Sequence, residues 1–431
     1  MKILVLTNLY PPHHAGTFDN HCQTVTESLR LRGHSIGILT SSHGLRNEQV
    51  DEDIHRRLQL NGVYGHPLVT SYQHMKDLEL HNNGALTDAI EHFKPDVVHV
   101  FSLNGISKSL VFTLYNSKLP VVYDVFDHWL SANVREDPWL RFWNAPSLPI
   151  LTQSSRKALE LSGERGRLDS SAPTRMARGY ERLPTLFGDT VKLASIGGFR
   201  FDRIYFCSHA LKQLTEHQGF CVNHAEIIYP GITSTYIGDI KPPSAPMSKF
   251  LVVGRLDKHC GVMTALKALK IARKAGLKIT MDIYGRGESS YMADLRSFVV
   301  ANQLPVEFLN VSNANTDMSS VYKHHDVLLH TPEWAEPFPF TPLEAMGCGM
   351  PVIGATSGGA EELLHHGENS LTYPPGNAEQ LAARMQELLI SPALRCQMAE
   401  AAQSEVLAKF NDATVIDQVE NFLTVSQSQT N

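Results

Sequence analysis

The stretch Ala335 to Ala360, AEPFPFTPLEAMGCGMPVIGATSGGA, leaves the backbone around it little freedom. Glu336 and Glu344 bracket seven residues. Between them, Thr341-Pro342-Leu343-Glu344 reads as a helix start. Thr341 suits the N-cap, Pro342 the first helical position and Glu344 the third, as in a capping box. Gly347 and Gly349 hold that helix to under about three turns. Pro351 opens an apolar run, PVIGA, that suits a buried strand. Gly358-Gly359 makes a turn, and AEELLHHG after it is helix-like. Two helix starts so close together form an anion-binding pocket, because their first N–H groups are unpaired and their dipoles favour negative charge.

A chain of 431 residues has room for two domains. Its composition is 42% apolar and 19% charged with net charge −6. That lacks the basic excess of a nucleic-acid binder. No apolar run approaches the ~20 residues of a membrane span. The first apolar run, Ile3 to Thr7, is too short for a signal-peptide core and reads as a first buried strand. Cys22, Cys207, Cys221, Cys260, Cys348 and Cys396 form no CxxC pair, which points to reduced thiols in a cytosol. The paired histidines at 13–14, 324–325 and 365–366 read as loop or helix-surface residues, so no metal is expected.

Ile3–Thr7 as strand, Cys22–Arg32 as helix with Val25 and Leu29 inward, and His34–Thr40 as strand make a βαβ unit and hence a parallel sheet. The loop from Asn8 to Asn20 leads into a helix start, the usual ligand position in such folds. Further strands fall at Asp96–Val100, Pro120–Val125 and Arg203–Ser208, and Ile227–Ile232 closes this part. A helical insertion is expected at about 141–200. Leu151–Arg203 carries ten Lys and Arg against six Asp and Glu. It is either a solvated excursion that shapes an acceptor pocket or a face for anionic lipid. Lys241–Ser248, KPPSAPMS, is a linker. The pattern then restarts, with strands at Phe250–Val253, Lys278–Tyr284, Val306–Leu309 and Val327–His330. The fold class is therefore α/β: two Rossmann-like, doubly wound domains, 1–240 and 249–411, facing a central cleft, with a last helix in 412–431.

These strings resemble the donor-binding signature of family 4 retaining glycosyltransferases (glycosyl transferases group 1), which use nucleotide sugars and have the two-domain GT-B fold. The family's E-x7-E element matches Glu336 and Glu344. Its GG-x-E-E matches Gly358, Gly359, Glu361 and Glu362. The resemblance implies that Glu344 holds the nucleotide ribose and that Glu336 faces the transferred sugar near its anomeric carbon. It implies that backbone N–H groups of Phe340 and Thr341 receive the diphosphate, with Arg255 and Lys258 as its cations and Phe338 also in the donor site. It implies a phosphate- and acceptor-contacting loop at Gly16, acceptor contacts at Thr17, Asp127 and His128, and a last helix that returns to the first domain. Read from the residues alone, Glu344 is equally a helix cap, Gly16 a turn residue, and Lys258 and His128 solvated loop residues.

Several positions depart from the family pattern. Ala15 stands before Gly16 where a glycine is usual. Phe126 takes the place of a histidine and cannot donate to a sugar hydroxyl. Cys260 takes the place of a lysine, and losing such a leaving-group contact costs ~3 kcal/mol of transition-state stabilisation. Pro339 replaces a glycine and has no N–H. Asn310 replaces another glycine beside the nucleotide base. The resemblance implies retaining hexosyl transfer from a nucleoside diphosphate sugar to a sugar or lipid-linked hydroxyl, in cell-surface glycan, glycolipid or polysaccharide synthesis. The setting it implies is cytoplasmic, with peripheral contact at the inner membrane face, and with neither metal nor other cofactor. Two alternatives stand: a GT-B protein that binds nucleotide sugar without turnover, and a nucleotide-sugar epimerase of the same fold.

Overall fold

The computed structural model describes residues 1–12, 17–44, 53–69, 72–130, 201, 203–218, 220–242, 244, 247–309 and 317–424. The expected insertion, Gly16, Asn310 and the end of the tail lie outside the described residues. The chain divides into two compact units, Met1–Ile228 with Ile416–Asn431, and Tyr229–Val415.

The first unit is built from β1 (Lys2–Thr7), α1 (Thr17–Leu31), β2 (Ser35–Ser41), β3 (Ile54–Leu58), α2 (Tyr72–Phe93), β4 (Val97–Ser102), α3 (Ser109–Ser117), β5 (Val121–Val125), β6 (Ile204–Phe206), α4 (His209–His217) and β7 (Glu226–Ile227). Its strands are parallel in the order β3-β2-β1-β4-β5-β6-β7. β1 and β4 are buried along nearly their whole length, as strands covered on both faces must be. Val25 and Leu29 of α1 are buried as their spacing requires. Each such side chain contributes roughly 1.5–3 kcal/mol.

The second unit repeats the plan with β8 (Lys249–Val253), α5 (Val262–Lys274), β9 (Thr280–Tyr284), α6 (Ser289–Ala301), β10 (Val306–Leu309), α7 (Met318–His324), β11 (Val327–His330), α8 (Phe340–Gly347), β12 (Val352–Ala355), β13 (Leu371–Tyr373), α9 (Ala378–Ile390) and α10 (Pro392–Lys409). Its parallel order is β10-β9-β8-β11-β12-β13. In both sheets the winding reverses beside the first strand, between β1 and β4 and between β8 and β11. Ligands of such sheets bind outside the strand C-termini at that reversal.

Residues 229–240, assigned to the first domain by sequence, pack in the second unit. Ile232 N–H donates to Phe410 O at 2.8 Å and Gly238 N–H to Gly347 O at 3.2 Å. The break in the chain's packing therefore precedes the proline-rich run. The last helix, α11 (Asp412–Thr424), enters the first unit at Ile416. There Arg32 Nη1 lies 2.7 Å from Asp417 and 2.6 Å from Glu420, His34 Nε2 lies 2.8 Å from Glu420, and the Arg203 guanidinium sits 5.0 Å above the Phe422 ring.

Candidate active site

Arg255 and Glu336 follow β8 and β11, the two strands that flank the reversal in the second sheet. Their loops are tied together. Glu333 N–H donates to His259 O at 2.7 Å, and Thr331 Oγ1 donates to Cys260 O at 2.9 Å. Thr264 Oγ1 donates to Glu333 Oε1 at 2.6 Å. Gly261 makes this approach possible. Its φ is +66°, and a Cβ there would run into the Thr331 carbonyl.

Within these loops Arg255 is 68% exposed on its side chain, with Nε 3.5 Å from Asp257. Lys258 is exposed on a 3-10 turn, Lys258–Cys260. Cys260 is half-buried. Burial raises its thiol above the ordinary range, Arg255 works against that shift, and Asp257 and Glu336 add to it. The thiol is therefore neutral near pH 7. Arg286, which the sequence reading passed over, stands on the neighbouring loop, and its carbonyl accepts from Leu256 N–H at 2.8 Å.

Glu336 is held from two sides. Its backbone bridges to Gly358, and Gly359 N–H donates to Glu336 O at 2.8 Å. Gly358 has φ +62° and ψ −135°, and a Cβ there would strike the Glu336 backbone. The glycine pair of the GG-x-E-E string is thus the seat of the loop that carries Glu336. On the side-chain side, His330 Nε2 lies 2.9 Å from Glu336 Oε2. Sequence reasoning missed His330, which reads there as the end of a strand.

The helix after Glu336 begins earlier than its sequence suggests. Its N-cap is Pro339, with no side-chain cap, and Phe340 is the first helical residue. Thr341 and Pro342 fall at the second and third positions, so Thr341 is not the cap and Glu344 is not part of a capping box. A proline at the third position lacks an N–H, which leaves Phe340 and Thr341 as the N–H donors of the first three helical residues. The expected second helix start is a 3-10 turn, Gly359–Glu362. Phe338 is buried, with its ring 5.6 Å from Tyr229 and 5.9 Å from Phe410.

Glu344 is 8% exposed and accepts from Tyr322 Oη at 2.7 Å. Burial raises its carboxyl from 4.5 to about 7, against hydrogen bonds from Tyr322 and Tyr236 that favour the ionised form.

Residues 242–405 match the model of the family Glycosyl transferases group 1. The second unit belongs to the group 1 glycosyl transferases. The chain is 30% identical over 163 residues to an uncharacterized glycosyltransferase of Methanocaldococcus jannaschii, a match that spans 37% of the chain and 40% of that relative. It is 22% identical over 445 residues to glycogen synthase of Mycobacterium tuberculosis, across 96% of the chain and 92% of the relative. Anabaena HepE, solved with UDP, superposes with a TM-score of 0.67 at 18% identity over 99% of this chain and 100% of that one. The fold is α/β in the GT-B class.

Outside the group 1 domain, the first unit holds the other residues singled out by sequence. Thr17 opens α1. Asp127 serves its own loop, accepting from Ser102 Oγ at 2.8 Å and from Trp129 N–H at 2.8 Å. His128 is half-buried beside it. Phe126 is 3% exposed, and the His21 ring stacks on it at 3.9 Å between centroids. The group 1 domain also has a cavity of about 450 Å³ lined by Lys241, Tyr322, Asp326, Cys348 and Arg395. Asp326 and Pro351 precede β11 and β12, so this cavity lies at the sheet edge opposite the loops of Arg255 and Glu336. Among the described residues no group of three metal-ligating side chains occurs, and no helix is long and apolar enough to cross a membrane.

Proposed function

We propose that this protein is a retaining glycosyltransferase that moves a hexosyl group from a nucleoside diphosphate sugar to a hydroxyl of a sugar or lipid-linked acceptor. The observation that carries this reading is the placement of Arg255 and Glu336 on the two loops that leave the winding reversal of one parallel sheet, loops tied together by Thr331 and Glu333. Anabaena HepE, of the same fold, has been solved with UDP and with UDP-glucose, which supports the donor class.

In this reading the diphosphate lies against the first turn of α8, where Phe340 and Thr341 offer N–H groups and the helix dipole favours negative charge. Phe338, which precedes that turn, is assigned to the donor site. Arg255 forks onto phosphate oxygens from the other side, and Lys258 supplies the second cation. Glu344 grips the ribose. Glu336 orients the sugar and faces its anomeric carbon. As the bond from that carbon to the diphosphate breaks, its electron pair goes to the phosphate oxygen, and fixed donors and cations stabilise the growing charge. The acceptor oxygen bonds the same carbon from the face the diphosphate leaves, and its proton passes to the departing diphosphate oxygen. Gly16 serves donor phosphate and acceptor from the first unit, and Thr17, Asp127 and His128 serve the acceptor. No metal is assigned. Products of this chemistry are cell-surface glycans, glycolipids or polysaccharides made on the cytoplasmic side, with peripheral contact at the inner membrane face.

The test is nucleoside diphosphate release from a panel of UDP-, GDP- and ADP-sugars, with and without acceptor-rich extract. Release from one donor class that Glu336→Ala and Arg255→Ala both abolish is the expected result. Binding without release over hours would instead support a nucleotide-sugar binder, and release with free sugar but no acceptor requirement an epimerase.

A further inference from the structure

We infer that His330 is a positioning residue for Glu336, holding one carboxylate oxygen so that the other is presented to the donor sugar. This rests on the proposed function, in which Glu336 faces the sugar. His330 closes β11 and is 7% exposed. Its neighbour across the sheet is Gly354 of β12. Nε2 comes within 2.9 Å of Glu336 Oε2. Both atoms are sealed from solvent, and neither has a hydrogen-bond partner among the described residues, so their 2.9 Å approach is a close polar contact not yet aligned as a hydrogen bond. The Glu336 side chain nevertheless keeps 20% of its surface exposed, which therefore lies on atoms other than Oε2.

Two sealed polar atoms that face only each other restrict their chemistry. A carboxylate oxygen shut away from water without a donor is costly, and a small turn of the imidazole would bring a proton on Nε2 into line with it. With Oε2 taken by His330 and its backbone fixed by Gly358 and Gly359, Glu336 has little freedom left about its last side-chain torsion. A carboxylate that must meet a reacting sugar at hydrogen-bond distance gains most from being held before the substrate arrives. Its neighbour contributes without touching the sugar.

Two measurements test this together. In protein labelled with ¹⁵N-histidine, the His330 Nε2 resonance is expected to report a protonated nitrogen and to shift when Glu336→Gln is introduced. In kinetics with the donor found by the sugar-nucleotide panel, His330→Phe is expected to lower kcat about 10- to 100-fold, the range for one hydrogen bond to a charged group. Nucleoside diphosphate affinity stays within about twofold, since the diphosphate does not meet this pair. His330→Gln, whose amide nitrogen can stand where Nε2 stands, recovers part of the rate. In a Glu336→Gln background His330→Phe has no further effect. An unmoved His330 resonance, full activity in His330→Phe, or losses that multiply in the double variant each overturn the proposal. If wild-type protein turns over no nucleotide sugar, the functional reading falls, while the resonance still decides the pairing.

Discussion

Tyr322 donates its hydroxyl proton to Glu344 Oε2 across 2.7 Å, and neither side chain is more than 8% exposed. The second glutamate of the E-x7-E element is thus a buried carboxylate in a tyrosine cage. Its helix starts at Phe340, one turn upstream. Burial is the larger effect on its ionisation, and the two tyrosine hydroxyls offset only part of it.

That balance has a pH signature. The folded protein holds the Glu344 proton more tightly than the unfolded chain does, since its carboxyl rises from 4.5 to about 7. The resulting contribution to stability is full below pH 4.5 and is lost as pH rises through about 7. Its size is on the order of 3 kcal/mol. Glu344→Gln removes the titration, so thermal melts are expected to match wild type near pH 5 and to exceed it near pH 8. Nucleoside diphosphate affinity of the wild type should rise over the same window, because the ionised carboxylate is the better acceptor for ribose hydroxyls, and this rise should vanish in Glu344→Gln.

Gly358 is the next point of leverage. Its backbone lies where side chains are strained, and a Cβ would strike the Glu336 backbone. Gly358→Ala is expected to cost about 1–3 kcal/mol in thermal or urea unfolding. It should also reduce turnover more than nucleoside diphosphate binding, because the displaced loop carries Glu336 while Arg255 and α8 stay in place.

The two cations of the β8 loop separate binding from stability. Arg255 is exposed, and its ion pair with Asp257 adds under about 1 kcal/mol to folding. Arg255→Ala should therefore melt as wild type does, yet lose about 10- to 100-fold in nucleoside diphosphate affinity by calorimetry. Lys258 is assigned the role that the neutral Cys260 thiol cannot fill. Lys258→Ala should then lower turnover about 10- to 100-fold with a smaller effect on affinity.

The inner strands of both sheets were legible in the sequence because they are short aliphatic runs, such as Phe250–Val253 before Gly254, whereas the edge strands β3, with its polar IHRRL, and β13, only three residues long, were not. The start of α8 was not. Thr341 and Pro342 have the local signature of a cap and first turn, but the chain is already helical at Phe340 after a proline that caps with no side chain. The boundary between units was hidden for a similar reason. KPPSAPMS looks like a linker, whereas 229–240 are claimed by backbone bonds to Phe410 and Gly347, far along the chain. At the site, Arg255, Glu336 and the glycine pair stood out through their resemblance to the family's strings. The partners of the glutamates did not, because Tyr322 and His330 meet them only once the sheet is assembled. Asp127 was read as an acceptor residue, and what the structure adds is its bond to Ser102, which binds the β5 loop to the β4 loop.

The central claim is the seat of the diphosphate, and it is tested most directly by a crystal structure of the protein soaked with UDP, GDP or ADP. The account predicts a diphosphate against the N–H groups of Phe340 and Thr341, with the Arg255 guanidinium on its oxygens and the ribose at Glu344. Nucleotide bound elsewhere, or this seat empty for all three at millimolar concentration, would contradict it.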